Sequence, residues 1–337
     1  MTTNLSTHYL GLSLRHPIIA SASPLTSTVG RIRALEDAGA AAVVMPSLFE
    51  EQIRAEDTAY AMYTEHGSYS QSEAGSYFPE LPDYDSGMSG HLDTLRKAVT
   101  AVDIPVIASL NAVTIEGWID YAAKLEQAGA AALELNMYFI PANATMSGQD
   151  VEVHYVEALH AVKRTVKIPV AVKLSPYFSS IGHMAHRLAD AGANGLVLFN
   201  RFYQPDFDLA TLSVKADLKL SSSHEAGPSL LWIGMLAGRI KASLAATSGV
   251  ETAEQVVKYL LVGADAVMTT SALLRHGPAY MRTLVEGLTA WLEKSGHPSV
   301  SAIRGLKSVK ELDNAGEVLR VQYMKLLTEY VPRQLAA

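Results

Sequence analysis

The chain has no cysteine among its 337 residues. That removes disulfides, iron–sulfur ligation, thiolate zinc sites and a catalytic thiol together. Redox chemistry on this chain would have to come from a bound organic cofactor. Aromatic residues are scarce at 7% and charged ones make up only 18%. Neither sign dominates: 27 Lys and Arg against 34 Asp and Glu give a formal charge of −7. No Lys/Arg block stands out, so nucleic acid is not an expected partner. No uncharged run reaches the roughly 18 apolar residues of a membrane span, and the opening MTTNLSTHYLGLSLRHP lacks a basic stretch ahead of an apolar core. The expectation is a cytoplasmic protein with no membrane attachment.

What is present is apolar. With 49% hydrophobic residues and 23 glycines the chain can bury a large core, which excludes a disordered chain, a disulfide miniprotein and a coiled coil. The length fits one large α/β domain or two ordinary ones. A weak internal repeat decides between them. EDAGAAAVVM around Gly39, EQAGAAALELN around Gly129, ADAGANGLVLFN around Gly192 and LVGADAVMTT around Gly263 each read as a helix end followed by a buried strand. DIPVIASLN from Asp103 and KIPVAVKLS from Lys167 alternate with them, Ile-Pro breaking one helix and opening another apolar run. HPIIASAS from His16 and ASLAATSG from Ala242 bring the candidate strands to eight. The six units between Gly39 and Gly263 average about 37 residues, the length of a strand, a helix and two loops.

Helical stretches are expected at Trp118–Gln127, Val151–Val166, Ile181–Ala191 and Thr252–Val262. Strands alternating with helices imply a parallel sheet, and eight of them imply a closed (βα)8 TIM barrel. An open doubly wound sheet is the alternative, but no G-x-G-x-x-G opens the first helix. Three stretches exceed the minimal repeat: an insertion at about 50–90 rich in Tyr, Ser and Gly, then 137–150, then 201–228. All follow strand C-termini, the barrel end that carries active sites. The expected division is a barrel over 1–296 and a helical extension over 297–337 that packs on it. A helix at Val318–Tyr330 in that extension is expected to lie across the barrel or against another subunit.

Polar residues at strand ends are the next signal. Asn111, Asn136 and Asn200 close three strands and Lys173 lies inside AVKLS. A lysine in an apolar strand needs a partner or a ligand. One reading is a salt bridge to Glu134 on the neighbouring strand; the other is a polar heterocycle held by lysine and asparagines together. The last two strands end in small residues, Ser248-Gly249 and Thr270-Ser271-Ala272, ahead of helices. There backbone N–H groups can hold a phosphate, or the hydroxyls can merely cap the helices. The pairs His154/His160 and His183/His186 lack a metal-ligand pattern, and no G-x-S-x-G is present, so neither a metal site nor a serine hydrolase is expected.

At these residues the sequence resembles the dihydroorotate dehydrogenase family, FMN-containing barrels of pyrimidine metabolism that oxidise a CH–CH donor. The resemblance covers about residues 5–300. It rests on AVKLSPYF at 171–178, ATSGVETAEQVVKYLLVGADAVMTTSALLRHGP at 246–278, ELN at 134–136 and the opening L-S-L-x-x-P-I-I-A-S at 12–21. It implies FMN as cofactor, with Lys173 near the flavin N1 and C2 carbonyl, where a positive charge stabilises the reduced ring. It further implies Ser248, Gly249, Thr270 and Ser271 as the phosphate cradle, and Ser21, Ala22 and Ser23 along the ring. Asn111, Asn136 and Asn200 would also touch the cofactor, with Asn136, Asn200 and Asn143 reaching the substrate.

The chain departs from the family at the substrate side. Pro46 stands where the family has the lysine of T-K-S/T. The loop NMYFIPANATMSGQ replaces N-x-S-C/S-P-N, which carries the family's base, so Tyr138 and Phe139 fall at the base's position. Phe139 cannot accept a proton, which leaves Tyr138, Thr145 and Ser147 as the hydroxyls of that loop. Lys173, Tyr138 and Ser147 are the expected catalytic residues, and the substrate is expected to be dihydroorotate or a related small cyclic molecule. Two alternatives stand beside this: a flavoprotein that serves as an electron-transfer or binding partner in a complex, and a flavin-free barrel lyase or isomerase with a phosphorylated substrate. Without cysteine, any iron–sulfur relay belongs to a separate electron-transfer subunit. A homodimer is expected, as is common for symmetric enzymes.

Overall fold

The computed structural model describes residues 3–54, 87–202, 204–214, 219–310, 312 and 314–329. Most of the insertion expected at about 50–90 lies outside these residues. Twelve strands are described, in chain order β1 Thr7–Tyr9, β2 Leu12–Leu14, β3 Ile18–Ala20, β4 Val43–Phe49, β5 Val106–Asn111, β6 Ala132–Asn136, β7 Val170–Leu174, β8 Gly195–Leu198, β9 Phe207–Asp208, β10 Ser213–Val214, β11 Ser243–Ala246 and β12 Ala266–Thr269. Eight of them close a parallel barrel in the order β3-β4-β5-β6-β7-β8-β11-β12. These are the eight runs expected from the sequence, and the fold is the (βα)8 TIM barrel.

The Gly-Ala repeat has a single physical cause. Gly39, Gly129, Gly192 and Gly263 take φ of 100°, 96°, 97° and 113°, the left-handed region open to glycine. The alanine after each donates its N–H back to the carbonyl five residues earlier, Ala40 to Leu35, Ala130 to Leu125, Ala193 to Leu188 and Ala264 to Tyr259. Each pair closes a helix and turns the chain into the next strand. The glutamate three residues before the first two glycines ties the repeat to the following unit. Glu36 Oε1 accepts from Asp103 N at 2.7 Å and Ile104 N at 3.1 Å, and Glu126 Oε1 accepts from Lys167 N at 2.7 Å and Ile168 N at 3.0 Å. The two Ile-Pro turns are thus anchored to the helices two steps upstream.

Helices at Val29–Asp37, Gly87–Ala101, Ile115–Gln127, Gly148–Thr165, Ile181–Asp190, Ala226–Leu236, Ala253–Val262 and Tyr280–Lys294 surround the barrel. The large core lies between helices and strands, built from residues such as Leu35, Leu95, Leu125, Leu159, Leu188 and Leu260. The smaller core inside the barrel has Ala132, Ala171, Ala245 and Ala266 on its strands. Those small side chains leave room for Tyr9 and Leu10, carried in by the β1–β2 hairpin. Gly195 completes the fit, since a Cβ there would fall 2.5 Å from Leu10 Cδ2 and 3.5 Å from Tyr9 Cε2. The hairpin plugs the N-terminal end of the barrel, and the C-terminal end stays open.

The extension behaves as two parts. Val300 and Ile303 are buried, and Gly305, Lys307 and Val309 donate their N–H groups to carbonyls of Leu260, Leu261 and Gly234. The helix expected at Val318–Tyr330 runs from Ala315 to Thr328, and Ala315 is its one buried residue among those described. It does not lie across the barrel: Val321, Tyr323, Met324, Leu326 and Leu327 are exposed. The contacts just described come from the segment before it.

Candidate active site

A cavity of about 500 Å³ opens at the C-terminal ends of the strands, inside the ~300–1,000 Å³ range of cofactor and small-molecule sites. It is lined by Ser21, Ala22 and Ser23 after β3, Asn136 at the end of β6 and Tyr138 after it, Lys173 on β7 and Asn200 after β8. Ser248 and Gly249 after β11 and Thr270 and Ser271 after β12 line it as well. The structure therefore brings eleven of the residues singled out above to one place.

The floor is a short polar chain. Asn136 Nδ2 donates to Ser47 Oγ at 3.0 Å, and Ser47 Oγ meets Ser109 Oγ at 2.8 Å. In this orientation the other end of the Asn136 amide, Oδ1, is the acceptor side. Oδ1 is buried and has no partner among the described residues. Ser47 was not anticipated as a site residue. It follows Pro46, where β4 shifts register against β5 between Val44 and Ser47, and that irregularity turns its hydroxyl toward the barrel interior. Beside this chain, Lys173 Nζ lies 3.8 Å from Glu134 Oε1, so the salt bridge weighed as an alternative forms. Lys173 keeps 14% of its side chain exposed while also lining the cavity, so the two readings of this lysine are compatible. Asn200 is held from below, its Nδ2 donating to the Lys173 carbonyl at 3.4 Å.

The opposite end is built from backbone turns. Ser248 and Gly249 both have positive φ, 74° and 70°. Tyr259 holds this turn from below, its hydroxyl donating to the Ser248 carbonyl at 2.6 Å. The turn is a loop, because the following helix begins only at Ala253 with Thr252 as its cap. A Cβ on Gly249 would lie 2.8 Å from Ala226 N and 2.9 Å from Ser222 O. The glycine is thus required by the loop packed on it, independently of any ligand. Ser221 from that loop is a second residue the sequence did not reveal: its hydroxyl meets Ser271 Oγ at 2.9 Å and lies 3.5 Å from Gly249 N. The loop is tied down by Arg275, which binds Glu251 at 2.7 Å and the Leu220 carbonyl at 3.0 Å, and by Arg201, 3.0 Å from Glu225.

Tyr138, which lines the cavity, is the start of an aromatic cluster beside it. Tyr138 stacks on Phe202 with ring centroids 4.6 Å apart, and Tyr177 meets Phe202 edge-on at 5.4 Å. Three other expected residues do not line this cavity. Asn111 faces a separate pocket of about 310 Å³, also lined by Trp118, Phe139 and His154. Asn143 is exposed and accepts from Thr145 N at 3.0 Å. Ser147 is exposed and caps the helix Gly148–Thr165, accepting from Asp150 N and donating to Asp150 Oδ2 at 2.7 Å. Its hydroxyl holds the Asp150 carboxyl below its usual range. The loop does not fold back over the cavity, so Ser147 is a helix cap here. Among the described residues no cluster of three His, Asp or Glu is placed to hold a metal ion, and no helix is long and apolar enough to cross a membrane.

The residues present fit a flavin mononucleotide. Asn136 Oδ1 is an orphaned acceptor for a ring N–H, Lys173 supplies positive charge beside it, and a turn of small residues forms the far end. Comparison with known proteins identifies relatives of the chain. A putative dihydroorotate dehydrogenase A (fumarate) of Aeropyrum pernix is 32% identical over 219 residues, covering 63% of this chain and 70% of that protein. The catalytic subunit of dihydroorotate dehydrogenase B (NAD(+)) of Pyrococcus abyssi is 26% identical over 308 residues, 90% of this chain and 98% of that protein. The subunit of the same name from Bacillus thuringiensis is 28% identical over 232 residues, 66% and 72% of the two chains. The family described as dihydroorotate dehydrogenase matches residues 84–292, more than half of the sequence, and the chain belongs to that family.

Proposed function

We propose that this cavity binds FMN and that the protein is an FMN-dependent oxidoreductase acting on a small cyclic substrate. The observation that carries the reading is the meeting of Lys173, Asn136 and Asn200 with the Ser248–Gly249 and Thr270–Ser271 turns in one cavity. When bound, FMN would supply the hydride acceptor. The chain's own residues supply binding and electrostatics. Lys173 would face the ring edge where negative charge develops on reduction. Asn136, held by Ser47, would offer Oδ1 to a ring N–H, and the two turns would meet the phosphate. Ser21, Ala22 and Ser23 form the wall along which a planar ring would lie, with Ser23 already occupied in capping Leu25 N.

Dihydroorotate is the substrate implied by the relatives' names, but the substrate side is rebuilt. Pro46 carries no charge for a carboxylate, and Tyr138, stacked on Phe202, is the loop hydroxyl that reaches the cavity. A positioned base contributes roughly 100- to 10,000-fold, so dihydroorotate should turn over slowly or not at all, and a related small cyclic molecule is the substrate of this reading. Two of the relatives are named catalytic subunits, which supports a separate electron-transfer polypeptide as redox partner. A homodimer is part of the same reading.

The test is the absorption spectrum and released flavin of the purified protein, followed by anaerobic reduction with dihydroorotate and other cyclic donors. A yellow protein releasing FMN is expected. A colourless protein that ignores added FMN would overturn the reading and favour a flavin-free barrel enzyme. Lys173→Ala should weaken FMN retention or make the flavin harder to reduce, by on the order of 1–3 kcal/mol.

A further inference from the structure

The inside of a parallel barrel is normally apolar, because every strand there is covered on both faces. Glu134 breaks that pattern. It is 1% exposed, and both carboxylate oxygens are buried without a hydrogen-bond partner among the described residues. The register places it between Ser109 on β5 and Ala171 on β7. Ser109 is engaged with Ser47, and Ala171 has nothing to offer. Beyond Ala171 stands Gly195, against which the Tyr9 ring packs. The Tyr9 hydroxyl is likewise buried without a partner. From β3, β4, β11 and β12 the inner core presents Ile19, Val44, Ala245 and Met268. Lys173 is therefore the one cation that faces Glu134 from these elements, at 3.8 Å, too far for a hydrogen bond.

The pair is asymmetric. Glu134 is sealed inside, whereas Lys173 borders the cavity. Burial pushes the Glu134 carboxyl up and Lys173 pulls it down, with burial prevailing. The Glu134 charge also pushes the already buried Tyr9 phenol further up. A negative group directly behind Lys173 subtracts from the field that the lysine projects into the cavity, and in a poorly screened interior this subtraction is large.

We propose that Glu134 is a positioning residue that, through its ion pair with Lys173, sets how much positive charge the cavity floor presents to a bound flavin. This rests on the FMN reading above. Glu134 does not reach the cavity itself; it holds the ammonium toward the barrel axis and offsets part of its charge. Its removal leaves the lysine as a full cation and favours the reduced, more anionic ring.

The experiment compares wild-type protein with Glu134→Gln and Glu134→Asp in FMN affinity for oxidised and reduced flavin and in midpoint potential. Glu134→Gln should favour reduced over oxidised FMN on the order of tenfold, a rise of about 30 mV for a two-electron couple. Glu134→Asp keeps the charge and should stay close to wild type. Glu134→Leu fills the same space with an apolar group and should reproduce the glutamine shift if the amide is not tolerated. Unchanged ratios in both neutral variants, or equal shifts in the aspartate and glutamine variants, would overturn the proposal, the latter by showing a packing effect. A wild-type protein that binds no FMN would remove the functional reading, and this inference with it.

Discussion

Glu50 and Glu134 are equally buried, each 1% exposed, yet their surroundings are opposite. Glu50, just after β4, accepts from Val113 N at 2.6 Å, Thr114 N at 2.9 Å and the Thr114 hydroxyl at 2.6 Å, and pairs with Arg54 at 2.5 Å. Burial would raise its carboxyl, but the Thr114 hydroxyl, the two N–H groups and Arg54 together hold it below the usual range. Glu134 has the same burial and none of those donors, and its carboxyl is pushed up. A buried carboxylate that is fully bonded organises structure: Glu50 gathers the start of the helix Ile115–Gln127. Gly117 in the first turn of that helix has no room for a Cβ, which would fall 2.5 Å from Glu50 Oε2. A buried carboxylate left unbonded beside a cavity is costly to the fold, and its reason must be sought in the site.

Four experiments would break or sharpen this contrast. The largest effect belongs to Glu50→Ala, which strands two backbone N–H groups and a hydroxyl in a buried place and should cost roughly 3–5 kcal/mol of unfolding free energy. The ion pair adds little to that sum, because the Arg54 side chain is 59% exposed. A loss below about 1 kcal/mol in denaturant unfolding would show that water replaces the carboxylate and that Glu50 is not a structural anchor.

Next is His16, a buried group whose neutral form is satisfied. Its Nε2 lies 2.6 Å from the Gly39 carbonyl and Nδ1 accepts from Ile18 N at 3.2 Å. Burial pushes its pKa down to about 4, with the Gly39 carbonyl opposing and Arg15 adding to the fall. Between about 4 and the ordinary 6.5 the unfolded chain binds more protons than the folded one. Stability should therefore fall as pH drops through that window, by at most roughly 3 kcal/mol. His16→Gln should flatten this slope; an unchanged pH profile would assign the acid sensitivity elsewhere.

Ser147→Ala is the third. Loss of the cap should cost roughly 1 kcal/mol and leave flavin content untouched. A sharp fall in turnover at unchanged stability would instead return Ser147 to the chemistry.

The smallest effect is expected for Glu134→Gln in the cofactor-free protein. Removing a desolvated carboxylate offsets the loss of its pairing, and Lys173 can be hydrated from the cavity, so stability should change by less than about 1 kcal/mol. A loss as large as that of Glu50→Ala would erase the distinction between the two glutamates.

Much of the fold was legible before any coordinates. The Gly-Ala and Ile-Pro signals act within five or six residues of chain, so local sequence suffices to announce them, and the eight strands follow. That Lys173 and the turns at Ser248–Gly249 and Thr270–Ser271 stand at strand ends was legible for the same reason, because each lies in a short contiguous run. Ser147 misled because a hydroxyl in a long loop looks like a reagent, whereas Asp150 three residues on makes it a cap. Asn143 is held locally too, by Thr145. The amphipathic helix at Val318–Tyr330 suggested packing across the barrel or against another subunit, but amphipathic spacing says only that a helix forms, not what it meets.

The sequence by itself determined the barrel, its helix ends and the identity of the groups ringing one end, because periodicity, glycine conformation and proline breaks are local properties. Tertiary structure alone decided that Asn136 is oriented by Ser47, that Ser221 reaches Ser271 from a loop 50 residues away, and that Tyr9 fills the space left by the interior alanines. It alone decided that Glu50 is satisfied and Glu134 is not. Those outcomes depend on which donors the closed barrel brings within about 3 Å of each acceptor, a quantity set by strand register and closure rather than by neighbours in the chain.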